Sequence, residues 1–108
     1  MAIEAKISVQ KSLTIAEQLV YVVSQHVKLT IKLLRLSNVT GSAVTVRLYF
    51  APPNGTGATT NAVLYDFSIA ANEFIEFGEG QILYDSFVIR GSCSVDNAVN
   101  VILCGLES

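Results

Sequence analysis

Tryptophan is absent from this chain of 108 residues, and histidine and methionine occur once each. Charged residues make up only 15%, against a usual share of roughly 25%. The two cysteines, Cys93 and Cys104, are too few for a disulfide scaffold or a structural zinc site, which takes four ligands. No apolar run exceeds Leu19–Val23, far short of the about 20 residues a spanning helix needs. Seven basic residues stand against nine acidic ones, a net charge of -2, which supplies no basic patch for nucleic acid. Neither nucleic acid nor membrane is therefore an expected partner. The start, Met1 to Lys6, has no basic stretch followed by an apolar core, so it does not read as a signal peptide, and synthesis in a reducing cytosol is expected.

Apolar and strand-forming residues are abundant. Hydrophobic residues reach 51%, and Val, Ile, Thr and the aromatics account for 38 of 108 positions. One compact β-sandwich over residues 1–108 suits the length, which is enough to hide roughly two-thirds of the unfolded surface. Val44, Val46, Leu48 and Phe50 alternate with Thr45, Arg47 and Tyr49, the period of a half-buried antiparallel strand. Val27, Leu29, Ile31 and Leu33 alternate with Lys28, Thr30 and Lys32 in the same way. Parity then slips, since Leu34 and Leu36 fall on the lysine side. A bulge near Leu33-Leu34, or a strand passing between sheets, accounts for the slip.

Breaks between runs complete the pattern. Ser37–Ser42 reads as a hairpin connection, and Pro52-Pro53-Asn54-Gly55-Thr56-Gly57 opens a flexible loop running to about Thr60 with nothing to anchor it. Gly78-Glu79-Gly80 and Val95-Asp96-Asn97 divide the second half. Strands are expected near 3–9, 12–16, 19–23, 27–37, 43–50, 62–69, 73–77, 82–90 and 98–104. Leu13–Val23 also fits a helix, but its run of mostly β-branched and aromatic residues favours a strand. The expected fold class is all-β: a two-sheet antiparallel sandwich, jelly-roll-like, of about eight strands and little or no helix. If Asp96-Asn97 turns a hairpin, Cys93 faces Asn100 and Cys104 faces Ile89. Those sulfurs are too far apart to bridge, and both read as small buried residues.

Catalytic chemistry finds little support. His26, in Ser24-Gln25-His26, reads as a turn residue, with no Gly-x-Ser-x-Gly elbow to accompany it. Glu73, Glu76 and Glu79 are spaced by three, which aligns carboxylates on a helix but sends Glu73 and Glu76 to opposite faces of a strand. Asp66 and Asp85 are a candidate pair across neighbouring strands, without a third ligand. Gly55-Thr56-Gly57 lacks the lysine of a phosphate loop. Asn38-Val39-Thr40 and Asn54-Gly55-Thr56 match the glycosylation sequon but read as turn chemistry. Lys28, Lys32, Arg35 and Arg47 are expected on one sheet surface, in salt bridges at a subunit contact. No catalytic residue, metal ligand or cofactor site is expected, and the chain reads as a non-enzyme.

Several strands are apolar on both faces. Val63, Tyr65, Phe67 and Ile69 oppose Leu64; Leu83, Phe87 and Ile89 oppose Ile82, Tyr84 and Val88; Val99, Val101 and Leu103 oppose Ile102 and Cys104. A second layer is needed, and another copy of the chain is its natural source. Tyr49, Phe50, Tyr65, Phe67, Phe74, Phe77, Tyr84 and Phe87 are the aromatic candidates for core and interface. Pro52, Pro53, Asn54 and Gly55, with the segment 1–6, are the candidate contact arms.

The run Lys11-Ser12-Leu13-Thr14-Ile15, the turn Leu36-Ser37-Asn38-Val39-Thr40-Gly41 and the strand Ala43-Val44-Thr45-Val46 form a recognisable series. Ala70-Ala71-Asn72-Glu73 and the Gly105-Leu106-Glu107 end continue it. Together they resemble small β-sandwich proteins of tailed-phage virions: capsid decoration (cement) proteins, or fibre and spike modules. The resemblance implies a structural virion component, commonly a homotrimer, that binds the major capsid protein or another virion protein. One turn departs from it, reading Ser24-Gln25-His26-Val27 where such modules often carry Pro-Ala-Gly. A receptor- or carbohydrate-binding module is the alternative. With no tryptophan for stacking on a glycan, it rests on Tyr49 as the best exposed aromatic.

Overall fold

The computed structural model describes residues 5–108. It contains nine strands: β1 (Ala5–Ser12), β2 (Gln18–Val22), β3 (Leu29–Asn38), β4 (Val44–Ala51), β5 (Ala62–Ile69), β6 (Phe74–Phe77), β7 (Ile82–Leu83), β8 (Val88–Cys93) and β9 (Val99–Glu107). The first sheet runs β1-β9-β3-β6, with β7 also paired to β3, and the second runs β2-β8-β4-β5. Every pairing is antiparallel. The chain is an all-β two-sheet sandwich, and its one helical piece among the described residues is a 3₁₀ turn at Thr59–Asn61.

Two expected strands differ. Residues 13–17 form a bend between β1 and β2 rather than a strand, and 82–90 splits around a turn in which Ser86 takes a φ of 64°. The start of the chain differs as well. Residues 1–4 of the expected N-terminal arm lie outside the described residues, whereas Ala5 and Lys6 pair with Glu107 and Leu106 inside the first sheet.

The connections are mostly arches. Only β4 to β5 and β6 to β7 stay within one sheet; the other six cross the sandwich. Ser37–Ser42 is therefore not a hairpin. The Asn38 side chain, 2% exposed, explains why. Its amide donates to the carbonyls of Ser42, Ile69 and Ala70 at 2.8, 3.0 and 3.2 Å, so one buried group ties the end of β3 to the other sheet. Burial in that role fits turn chemistry, as the sequence reading had it. Val95–Asn97 is an arch too. Cys93 pairs with Val46 in the second sheet and Cys104 with Ser8 and Leu33 in the first, and both thiols are free. Cys93 is buried, while Cys104 is only half-buried.

Between the sheets lies one core, built from alternate residues of each strand. Leu29, Ile31, Leu34, Leu36, Val99, Val101 and Leu103 face Leu13, Val46, Leu48 and Ile89. The parity slip in β3 is a bulge: Ile31 pairs with Gly105 and Leu33 with Cys104, leaving Lys32 unpaired and exposed. That one extra residue returns Leu34 and Leu36 to the core. The parity of β9 also carries Glu107 inward, where it is 6% exposed. Its carboxylate accepts hydrogen bonds from the Tyr21 hydroxyl at 2.5 Å and from the Ser24 amide and hydroxyl at 2.9 and 2.8 Å. A central strand of the first sheet is thus clamped to the end of β2 in the second.

Candidate functional site

The outer faces of the two sheets are finished differently. On the second sheet, Tyr49 and Ala51 point outward yet are 5% and 0% exposed. The residues between β4 and β5 fold back over them. Gly57 donates its amide to Glu17 at 3.0 Å, and Glu17 receives Arg90 Nε at 2.5 Å. The Asn61 side chain donates to the Thr56 carbonyl and accepts the Ala58 amide, closing the segment on itself. The expected unanchored loop is in fact tied down by an ion pair from β8 and the β1–β2 bend. Burial alone raises the Glu17 carboxyl, but the Gly57 amide and Arg90 outweigh it, and the net shift is downward.

Gly57 has to be glycine, because a Cβ there lands 2.6 Å from Tyr49 Cε2 and against the Glu17 carboxylate. Gly57→Ala is expected to cost about 1–3 kcal/mol by overpacking, read by urea denaturation followed by far-UV circular dichroism. Gly41→Ala, with nothing within 4 Å of its new methyl, is expected to stay near wild type.

On the first sheet, no segment among the described residues folds back. Register places Ile102, Cys104 and Leu106 of β9 outward beside Leu33 of β3, all half-buried, with Ile82 and Phe74 at the margin, 36% and 52% exposed. Lys6, Ser8 and Gln10 flank this strip on β1, opposite Leu106, Cys104 and Ile102. Arg35 and Glu76 flank it on the other side, 3.2 Å apart, with the guanidinium 5.0 Å over the Phe74 ring. An apolar centre with a polar rim is the composition of a protein–protein contact. Among the described residues Arg35 Nε is the one buried side-chain polar atom that no acceptor reaches.

The far end of the second sheet carries a polar constellation. Arg47 donates from Nε and Nη2 to the two carboxylate oxygens of Asp66, at 2.6 and 3.2 Å, and stacks 4.3 Å over the Tyr65 ring. The hydrogen bonds from Arg47 hold the Asp66 carboxyl below its ordinary value. A bulge makes this possible. Val46 pairs with Phe67 and Leu48 with Leu64, so Arg47 alone faces both Tyr65 and Asp66, and Asp66 takes a φ of 52°.

The aromatic candidates do not gather on one surface. Phe50, Phe77 and Phe87 pack against the core, and Tyr49 lies under the loop, which corrects its reading as the best exposed aromatic. Tyr65 and Phe67 are exposed on β5, Phe74 on β6 and Tyr84 in the turn before β8. Of the loop candidates, Pro52, Pro53 and Asn54 are exposed, whereas Gly55 is half-buried against Ala51. Lys32 and Arg35 lie on β3, just after Lys28, but Arg47 belongs to the other sheet, and the arginines pair within the chain.

The carboxylates are scattered. Asp66 pairs with Arg47, and Asp85 accepts the His26 amide at 3.1 Å outside any strand, so the two do not meet across neighbouring strands. That bond from His26, aided by Ser86, lowers the Asp85 carboxyl. His26 itself is exposed in a turn with a φ of 67°. Among the described residues no three His, Cys, Asp or Glu side chains come together as a metal site. Sequence reasoning missed Glu17, Arg90 and Glu107. Only Glu107 carried a signal, its parity with Val99, Val101 and Leu103.

No family model matches the chain, and no curated protein matches it in sequence. Among solved structures it is similar to a chain from Bacillus endospore appendages, which are described as forming a novel family of disulfide-linked pili. The superposition covers 97% of this chain and 84% of that one, at a TM-score of 0.59 and 14% identity. The likeness is one of fold.

Proposed function

We propose that this chain is a non-enzymatic structural subunit that self-associates through the outer face of its first sheet. One contrast carries the reading: the chain's own loop lies over Tyr49 and Ala51 at the middle of the second sheet, leaving Leu19 and Tyr65 open on its edge strands, and among the described residues no loop lies over Leu33, Ile102, Cys104 and Leu106 at the middle of the first. Burying that strip against a second copy gains roughly 25 cal/mol per Å² of apolar surface.

Two settings follow. The resemblance to phage virion proteins favours a capsid decoration protein, an oligomer of three copies seated on the major capsid protein and located in the virion. There its contacts bridge neighbouring shell subunits, so that internal pressure has more to break. Likeness to a pilus-forming chain favours the second setting, a subunit of a fibre. Size-exclusion chromatography with light scattering at micromolar concentration is expected to show an oligomer, and a monomer would overturn self-association. A closed trimer that binds capsids stripped of decoration supports the first setting. Filaments under the electron microscope support the second.

A further inference from the structure

The uncovered end of the second sheet's outer face is a hollow of about 250 Å³, lined by Ile15, Thr45, Arg47, Asp66, Ser92 and Ser94. Its floor is a fixed plane of donors and acceptors. Arg47 and Asp66 hold each other through two hydrogen bonds, and Ser94 Oγ is held by the Thr45 amide at 3.0 Å. Its apolar border is Ile15, 63% exposed, and the Tyr65 ring backs the Arg47 guanidinium from outside the lining.

Local strain points to the same place. Asp66 sits in the left-handed region inside a strand, whereas the other non-glycine residues of positive φ among the described residues lie outside strands. Bulges and residues held in such regions cluster where a side chain must be aimed at a ligand. Here the strained residue is the one that fixes the arginine.

We propose that this hollow binds a neutral saccharide unit of a glycan. Vicinal hydroxyls both donate and accept, which matches a carboxylate beside a guanidinium with serine and threonine hydroxyls around them. The C–H faces of a sugar ring need an apolar wall, and Ile15 provides it. Charge selects a neutral sugar. Asp66 already offsets Arg47, and no lysine lines the hollow, so an acidic sugar finds no free cation. The volume lies below the range of about 300–1,000 Å³ of sites for drug-sized ligands, which suits one ring or a short terminus.

The test is a titration of the ¹⁵N-labelled full chain with glucose, galactose, mannose and N-acetylglucosamine, with sialic acid as the acidic comparison. Saturable shifts of the Thr45, Asp66, Ser92 and Ser94 amides with a neutral sugar are expected, at millimolar affinity. Asp66→Asn and Arg47→Lys are each expected to weaken binding at least tenfold while the circular dichroism spectrum stays unchanged. Lys32→Ala, on the other sheet, is expected to bind as wild type. No saturable shift with any neutral sugar, preference for sialic acid, or shifts that respond only to protein dilution would each overturn the proposal. Dilution shifts would mean that a second copy fills the hollow.

Discussion

Replacing Glu107 by alanine is expected to lower the unfolding free energy by about 2–3 kcal/mol, a large share of the 5–15 kcal/mol typical of a domain. Three donors converge on this carboxylate: the Tyr21 hydroxyl and the Ser24 amide and hydroxyl. Removing it takes the acceptor from a half-buried Tyr21 and an exposed Ser24, so the loss is that of hydrogen bonds to a charged group, roughly 1.5–3 kcal/mol where buried and less where water replaces the acceptor. Glu107→Gln keeps the shape and one acceptor oxygen but sets an amide donor against other donors, so an intermediate loss is expected. Urea denaturation curves of the three proteins order them.

Acid reports on the same clamp. Burial raises the Glu107 carboxyl, but the bonds from Tyr21 and Ser24 outweigh it, so its folded-state pKa lies below the ordinary value of 4.5. Its contribution is complete above that ordinary value and is lost as pH falls through the folded-state pKa. Glu17 shifts in the same direction and adds to the slope. Wild type is therefore expected to lose stability below about pH 4.5, with a shallower slope in Glu107→Ala, because only Glu17 and the surface carboxylates then contribute. Tyr21 moves the opposite way. Burial and the neighbouring carboxylate push its phenol above the ordinary 10.0, so its ultraviolet phenolate signal is expected only above that value.

Period 2 made β4 and β9 legible in the sequence, and the break in period near Leu33-Leu34 made a bulge one of two readings, which the structure places at Lys32. Whether a turn stays in one sheet or crosses to the other was not. Ser37–Ser42 and Val95–Asn97 carry the same glycine, asparagine and aspartate signals that a hairpin carries. What decides the matter is the long-range burial of Asn38 against Ile69 and Ala70. Tyr49 shows the same limit. Alternation places it correctly on the outer face beside Arg47, but its burial depends on Glu17 and Arg90 fixing a loop from distant segments. The Arg47–Asp66 constellation was hidden for a related reason. An unbroken alternation puts Tyr65 and Phe67 on one face with Asp66 opposite, and only the bulge in β5 brings Tyr65 and Asp66 to Arg47 together.

The self-association surface yields the largest expected change in solution behaviour. Ile102 lies in the uncovered strip between Gln10 and Arg35, half-buried, pointing away from a core that Val101 and Leu103 fill. Ile102→Glu is therefore expected to leave the folded chain within about 1 kcal/mol of wild type by thermal melting, as surface changes away from packed features usually do. In an interface that buries this face, the same change replaces an apolar contact by a carboxylate that must be desolvated. The dissociation constant is expected to rise by at least a hundredfold, so that light scattering at micromolar concentration reports monomer. Leu19→Glu is the matched control, since Leu19 is 39% exposed on β2 of the other sheet. It is expected to assemble as wild type. If Ile102→Glu assembles normally and Leu19→Glu does not, the contact lies on the second sheet, and the loop over Tyr49 is part of the interface rather than its substitute.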